Sequence, residues 1–118
     1  MSNAREDFDA SSVVIDWIDA CKQRRLGDLL NLYDDTATVE CCEGGSFQGR
    51  AAMKWYWGQR LAALGADVFE IEALMPEGDC VSLDYRTYDG QRVRTYFRFT
   101  DAGKIRLTAC APIREAAW

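Results

Sequence analysis

The sequence predicts an α+β fold in which a curved antiparallel sheet packs on three helices toward the N-terminus. Apolar residues recur at helical spacing in the first half of the 118-residue chain, and apolar and polar residues alternate in the second half. In addition, Asp89-Gly90 separates two of the alternating runs, and this dipeptide favours a type I′ hairpin turn.

The first two helices are predicted from apolar spacing and end signals. The first follows the candidate N-caps Ser11 and Ser12. Its apolar residues are Val13, Val14, Trp17, Ile18 and Cys21. The second is short, is interrupted at Gly27-Asp28 and is expected to end at Asp34-Asp35. Its apolar residues follow at i, i+3, i+4 and i+7: Leu26, Leu29, Leu30 and Tyr33.

One strand, TATVECC, is predicted between the second helix and the third, and four strands are predicted after the third. The third helix is RAAMKWYWGQRLAAL, with Trp55 outside its apolar stripe. That stripe consists of Met53, Tyr56, Trp57, Leu61 and Leu64. The later strands are ADVFEIEALM, CVSLDYRTY, QRVRTYFRF and KIRLTACA.

Composition limits both the domain count and the chemistry. An apolar content of 48% in 118 residues supports one domain, residues 1–118, with its own core. The net charge is −5, and acidic and basic residues are interspersed along the chain. The sequence therefore predicts no basic face, and we expect no nucleic-acid partner. The chain has no histidine, which excludes Ser-His and Cys-His nucleophile pairs. We expect no metal site and no cofactor, since Glu40 and Glu43 lack a clustered oxygen-donor loop.

The start of the chain and the length of its apolar runs predict where the protein is found. No apolar run is long enough for a membrane helix, and the start MSNAREDFD lacks the features of a signal peptide. We therefore expect a soluble cytoplasmic protein without a membrane partner. The five cysteines show no CxxC spacing, so we expect them to be reduced.

Three segments carry a resemblance to a known family: VVIDWIDACKQRRLGDLLNLYDDTATVE, FQGRAAMKWYW and TYFRFTDAGKI. Together they resemble the nuclear-transport-factor-2-like superfamily, in particular its SnoaL-like and steroid Δ-isomerase branches, over about residues 12–111. The resemblance implies a cone-shaped sheet closed by the helices around an apolar pocket, commonly in a homodimer packed through the outer face of the sheet. It does not imply one reaction, because the fold hosts isomerases, cyclases, epoxide hydrolases, dehydratases and non-catalytic modules.

The functional residues of the steroid isomerases are replaced in this sequence. The resemblance places their oxyanion-holding tyrosine at Trp17, their general base at Cys41 and their second oxyanion donor near Thr95. An indole and a protonated thiol cannot take over these roles, so we expect no steroid-type isomerisation. The resemblance also implies that Cys41 faces the pocket and that Cys42 faces away from it.

A hairpin turn at Asp89-Gly90 predicts the cross-strand pairs Asp84–Thr95, Ser82–Phe97 and Arg86–Val93. Both faces of this hairpin mix polar and apolar residues, so the pattern does not show which face points inward. The resemblance decides, because it implies that Thr95 occupies a pocket position. Asp84 and Arg86 then point inward as catalytic candidates, with Asp84 as the base and Arg86 holding it ionised or binding an anionic substrate group. A structural ion pair at the mouth of the cone is the competing interpretation.

Two functions remain open. The first is cofactor-free proton-transfer chemistry of the isomerase, cyclase or hydratase type on a small apolar or aromatic molecule. The second is a non-catalytic ligand-binding or dimerisation module. Trp17, Tyr33, Tyr56 and Trp57 would line the pocket or form the core. The residues expected to bind a small apolar ligand are Trp17, Tyr33, Cys41, Tyr56, Thr95 and Phe97.

Overall fold

The apolar stripe near the N-terminus forms helix α1 (Ala10–Lys22), which begins behind an acidic cap. This computed structural model describes residues 9–41, 44–63, 70–77, 80–86 and 91–113. The N-cap is Asp9, whose carboxylate accepts hydrogen bonds from Ser11 N at 3.0 Å and from Ser12 Oγ at 2.8 Å. The prediction of Ser11 or Ser12 as the cap is therefore wrong, because both serines act as donors to the cap.

The second helix, α2 (Leu26–Asn31), ends earlier than predicted. Asp34 and Asp35 belong to strand β1 (Tyr33–Glu40), and Tyr33 begins that strand. The helical spacing of Tyr33 from Leu26 was therefore coincidental, since the tyrosine is fixed by pairing with Ile105 in the sheet. Helix α3 (Arg50–Ala63) follows as predicted, with Met53, Trp57 and Leu61 buried.

The described strands form one six-stranded sheet that curves over the helices without closing. After β1 come β2 (Ser46–Gln48), β3 (Glu70–Glu77), β4 (Cys80–Arg86), β5 (Arg92–Phe99) and β6 (Ile105–Pro112). Their order in the sheet is β2-β1-β6-β5-β4-β3. The α+β class is confirmed. The predicted turn at Asp89-Gly90 lies outside the described residues.

The sheet is mixed, whereas an antiparallel sheet was predicted. Strands β1 and β6 pair in parallel, and the other neighbours pair antiparallel. A local pattern cannot reveal a pairing between strands about 70 residues apart, as between Tyr33 and Ile105. Register shifts interrupt three of the pairings, and bulges of this kind increase strand bending and support the curvature of the sheet.

The register of β4 and β5 differs by one residue from the prediction. Leu83 pairs with Thr95, Asp84 with Arg94, and Tyr85 with Val93. Side chains alternate between the two faces of a strand, so a shift of one residue in one strand moves its partners to the other face. The sheet face toward the helices, the inner face, carries six buried residues of these two strands: Val81, Leu83, Tyr85, Val93, Thr95 and Phe97.

Asp84 and Arg86 consequently lie on the opposite face of the sheet, the outer face. There Arg94 Nε and Nη2 donate to the two carboxylate oxygens of Asp84 at 2.6 and 2.8 Å. Hydrogen bonding from Arg94 holds the pKa of Asp84 below its ordinary value of 3.8, against the opposing effect of burial. Arg86 and Arg92 both bind Glu72, at 3.1 and 2.8 Å. The predicted inward placement of Asp84 and Arg86 is wrong.

The register also changes the expected outer surface. The predicted register places Leu83, Tyr85 and Tyr96 together on the outer face, and an apolar patch of these residues in water is a reason to expect a homodimer through this face. Leu83 and Tyr85 are buried on the inner face, and Tyr96 alone of the three lies on the outer face, 40% exposed. In the part of the chain that the structure describes, no helix combines the length and apolar character needed to cross a bilayer.

We predict that Asp84→Asn lowers the free energy of unfolding by about 1–2 kcal/mol near neutral pH. It removes a charge-assisted pair whose arginine is partly open to solvent. Because the pKa of Asp84 is depressed by folding, this stabilisation is present above 3.8 and is lost as pH falls through the folded-state value. The difference between wild type and variant in urea unfolding should therefore narrow in acid.

The matched control is Glu70→Gln, which removes an exposed carboxylate 3.6 Å from Arg86. We expect its effect to stay below about 0.5 kcal/mol, as for most exposed ion pairs. Equal losses in the two variants, or a loss for Asp84→Asn that does not change with pH, would contradict a specific role for the Asp84–Arg94 pair.

Candidate functional site

Three aromatic rings stand between the helices and the inner face, and we call them the aromatic wall: Trp17, Trp57 and Phe97. Trp17 of α1 meets Phe97 of β5 edge-on, with 5.0 Å between ring centroids, and Trp57 of α3 at 5.8 Å. All three are buried. Edge-to-face contacts of this kind favour a fixed relative orientation of the rings. The helices and the sheet are thus joined by a rigid aromatic surface.

A chain of hydrogen bonds runs beside the aromatic wall. Trp17 Nε1 donates to the hydroxyl of Tyr33 at 3.1 Å, and this hydroxyl lies 2.9 Å from Thr108 Oγ1. Tyr33 is the first residue of β1, and Thr108 is on β6, so the chain crosses the parallel pair of strands. Burial raises the pKa of Tyr33, and its hydrogen bonds to Thr108 and Trp17 only partly oppose the rise. The Tyr33 hydroxyl is therefore neutral near pH 7.

The indole N–H of Trp57 lies near the Tyr33 hydroxyl and also opposes the rise in the Tyr33 pKa. The two groups do not reach hydrogen-bonding geometry, however, and Trp57 Nε1 is buried with no partner among the described residues. A buried donor without an acceptor costs free energy. An acceptor oxygen beside the aromatic wall would remove this cost.

A second polar group, which we call the hydroxyl cluster, consists of Cys41, Tyr56, Tyr85 and Thr95. The Tyr85 hydroxyl lies 3.2 Å from Thr95 Oγ1, with both residues buried on the inner face. Tyr56 projects from α3 and is half-buried, with its hydroxyl toward the Cys41 thiol. Burial is the largest cause that raises the pKa of both Tyr56 and Tyr85 above 10.0. Both phenols are therefore neutral donors near pH 7.

The positive charge of Arg60 acts on the hydroxyl cluster. Arg60 is half-buried on α3, one helical turn after Tyr56. Its charge lowers the pKa of Tyr56 and of Tyr85, against the larger effect of burial. The guanidinium thus lies within electrostatic reach of hydroxyls from a helix and from the sheet.

The structure brings together all six residues expected to bind a ligand. Trp17, Tyr33, Thr95 and Phe97 are buried between the helices and the inner face, and Cys41 and Tyr56 are half-buried beside them. The two catalytic candidates are not part of this group. Asp84 and Arg86 lie on the outer face in ion pairs, so the placement on which their catalytic role rested is lost.

Sequence reasoning missed Tyr85, Thr108 and Arg60. Tyr85 alternates with Val81 and Leu83, a signal for the buried face that the mixed pattern of the partner strand obscured. Thr108 could have been found only through its distant pairing with Val39. Arg60 lies four residues after Tyr56, which places both on one side of the helix, and this spacing was visible in the sequence.

One of the cysteines departs from the prediction. Cys110 pairs with Thr95 in the sheet register and is disulfide-bonded, whereas Cys21, Cys41 and Cys80 are free. The expectation that all the cysteines are reduced is therefore wrong for Cys110. Absence of a CxxC motif excludes only pairs that are close in sequence, and folding brings distant cysteines together. Cys42 lies outside the described residues.

A separate cleft of about 290 Å³ lies between α1 and α2. It is lined mainly by polar side chains: Asp16, Asp19, Ala20, Gln23, Arg25, Asp28 and Leu32. Asp16 and Asp19 are exposed, on the side of α1 away from the buried Trp17, so this cleft is not part of the aromatic wall. Within the described ranges no cluster of carboxylates and cysteines is arranged to hold a metal ion.

The site is therefore apolar and neutral in its chemistry. The groups near the inner face are aromatic rings, hydroxyls, a thiol and indole N–H groups, with one cation beside them. Of the carboxylates that the structure describes, none is buried toward the helices. Asp84, the one buried carboxylate among them, faces outward. Such an arrangement can stack against a ring and donate hydrogen bonds to oxygen, but the described residues supply no carboxylate base to it.

Comparison with known proteins agrees with the fold. Residues 14–108 match the profile of the SnoaL-like domain. A SnoaL-like protein of unknown function from Burkholderia thailandensis is similar, with 21% identity, a TM-score of 0.80 and coverage of 97% of this chain and 99% of that one. No match was found among curated proteins.

Two further solved structures are similar and carry functional descriptions. A candidate polyketide cyclase from Sinorhizobium meliloti has 20% identity and a TM-score of 0.75, over 87% of this chain and 99% of that one. An epoxide hydrolase/cyclase-like enzyme of pyran ring formation in the polyether salinomycin has 19% identity and a TM-score of 0.69, over 88% and 90%. At these identities the similarity establishes the fold alone.

We predict that Tyr33, Tyr56 and Tyr85 lose their protons at higher pH in the native protein than in the unfolded chain, because burial raises the pKa of each. At alkaline pH, the tyrosinate absorbance of the native protein should then be lower than the absorbance that the five tyrosines give in urea at the same pH. Tyr33→Phe should reduce this difference, because it removes one of the three buried hydroxyls.

The same shifts predict how stability depends on alkaline pH. A raised folded-state pKa gives stability that is fully present below 10.0 and is lost as pH rises beyond it, since the unfolded chain releases these protons first. The missing absorbance should therefore appear together with unfolding. A native spectrum equal to that in urea at the same pH would show that the hydroxyls are open to solvent.

Proposed function

The chain belongs to the SnoaL-like domain family, and on that premise we propose that it binds a small apolar or aromatic molecule between the helices and the inner face. The observation that carries the proposal is the separation of chemistry across the sheet. Aromatic rings and neutral hydroxyls lie on the inner side, and the Asp84–Arg94 and Glu72–Arg92 ion pairs lie on the outer side. An apolar site with a few convergent donors is typical of ligand pockets.

The ligand would make two kinds of contact. Its apolar body would pack on the aromatic wall, where the rings of Trp17 and Phe97 lie nearly at right angles to each other. Its oxygen would accept a hydrogen bond from Tyr56 or Tyr85, or from the unpartnered Trp57 N–H. The descriptions of two similar structures, a candidate polyketide cyclase and a cyclase-like enzyme of polyether ring formation, favour an oxygen-bearing ligand.

Binding, rather than proton transfer by a carboxylate, is the function that the geometry supports. A general base must reach the proton that it removes, and Asp84 is held by Arg94 on the far side of the sheet. The phenols of Tyr56 and Tyr85 have raised pKa values, which makes them hydrogen-bond donors near pH 7 rather than bases. They would orient and polarise a carbonyl oxygen.

We predict that 2-acetylnaphthalene, a flat neutral ketone, binds at this site. In a ¹H–¹⁵N NMR titration the indole N–H signals of Trp17 and Trp57 should shift, whereas the amide of Gly103 in the turn between β5 and β6 should not. Tyr85→Phe should weaken binding by about three- to tenfold, because it removes one donor.

Tyr96→Phe is the matched control, since it makes the same chemical change on the outer face. It should leave the affinity unchanged. Absence of saturable shifts at both indoles, or equal loss of affinity in the two phenylalanine variants, would refute binding at the inner face.

A second candidate function, a dimerisation module, is favoured by Tyr96. This ring is 40% exposed on the outer face, and its partners in register are the small residues Ser82 and Ala109. A large ring beside small neighbours can pack against a second copy of the same surface, as in an isologous interface.

We predict that the protein is a homodimer at micromolar concentration by light scattering, and that Tyr96→Lys shifts it toward monomer because charge is unfavourable in an interface core. Ile15→Lys is the control, since Ile15 is 49% exposed on α1. A wild-type monomer, or dissociation by the Ile15 variant alone, would exclude the outer-face dimer.

A further inference from the structure

Arg60 differs from the other half-buried arginines that the structure describes. Arg94 pairs with Asp84, and Arg86 and Arg92 pair with Glu72. Arg60 is half-buried, yet within the described ranges it forms no ion pair and no hydrogen bond. Partial removal of a guanidinium from water without a counter-charge is unfavourable. An anionic partner at this position would offset the cost of desolvation.

The helix places Arg60 at the hydroxyl cluster. It follows Tyr56 by four residues and Trp57 by three, so all three lie on the same side of α3. Trp57 is buried against Trp17, and this contact fixes that side of the helix toward the inner face. The influence of Arg60 on Tyr56 and on Tyr85 of β4 agrees with this placement.

Arg60 and the two phenols present complementary chemistry. The guanidinium is a planar cation with several N–H donors, a geometry that matches a carboxylate. Tyr56 and Tyr85 supply neutral O–H donors from two sides, the helix and the sheet. No described carboxylate competes for this position, because Asp84 and Glu72 are held by arginines on the outer face. The three residues together resemble a receptor for an organic anion.

We infer that the ligand of the inner face is an apolar carboxylate, with its carboxylate group held by Arg60, Tyr56 and Tyr85 and its apolar body on Trp17 and Phe97. This inference rests on the proposed function, which gives the ligand an apolar body and a hydrogen-bonded oxygen, and adds the charge of the ligand. The net charge of −5 gives no general attraction for anions, so the selection is local to Arg60.

The experiment compares two probes of nearly equal shape, 2-naphthoate and 2-acetylnaphthalene, which differ by a carboxylate in place of a methyl ketone. Dissociation constants come from NMR titration near neutral pH. We expect wild type to bind 2-naphthoate about tenfold more tightly than the ketone, as one charge-assisted contact would provide. Arg60→Met should abolish this preference and leave the affinity for the ketone within about twofold.

Two variants serve as controls. Arg98→Met removes the same charge from an exposed outer-face position and should leave the preference intact. Arg60→Lys keeps the charge but loses the planar donor pair, so it should retain part of the preference. About 0.5 M NaCl should reduce the affinity for 2-naphthoate more than that for the ketone. The Lys variant and the salt series decide the question even if Arg60→Met fails to fold.

The possible outcomes separate the two proposals. If neither probe binds, the proposed function fails and the inference fails with it. If both probes bind with equal affinity to wild type, the site exists but does not recognise a carboxylate, and the inference alone is overturned. An equal loss of preference in Arg60→Met and Arg98→Met would also overturn it, since the effect would then come from the overall charge.

Discussion

The pairing of β4 with β5 determines the chemistry of both faces of the sheet. Because Leu83 stands opposite Thr95, the residues Val81, Leu83 and Tyr85 all face the helices. A strand offers only two directions to its side chains, so the same choice sends Asp84 outward to Arg94. The aromatic wall, the hydroxyl cluster and the outer ion pairs are consequences of this single register.

Much of the fold was visible in the sequence, but the register was not. Helix α3 and strands β3 to β6 follow from local periodicity, because burial of one side imposes a period on the chain. The relative offset of β4 and β5 could not be read from the sequence, because both faces of the two strands carry charged as well as apolar residues. The Tyr85 hydroxyl is buried 3.2 Å from Thr95 Oγ1. This contact depends on tertiary packing, which the local sequence pattern does not encode.

Some residues of the candidate site could likewise be predicted from the sequence, and others could not. Trp17, Tyr33 and Phe97 were all expected to bind a ligand, Trp17 at a position given by the family resemblance, and the structure places the three together between the helices and the inner face. Asp84 was assigned by a register argument and was misplaced by it. Arg60 could not be singled out from the sequence, because its distinction depends on the pairing of Asp84 and Glu72 with other arginines on the far side of the sheet.

Strand β6 lies between β1 and β5, although it is the last of the described strands in chain order. The earlier strands therefore form two separate groups, β1 with β2 and β3 to β5, and neither can complete its edge until residues 105–112 are available. During synthesis each group would present an unpaired edge, a state that favours association with other chains. Insertion of one strand at the centre thus makes completion of the sheet a single, late and cooperative event.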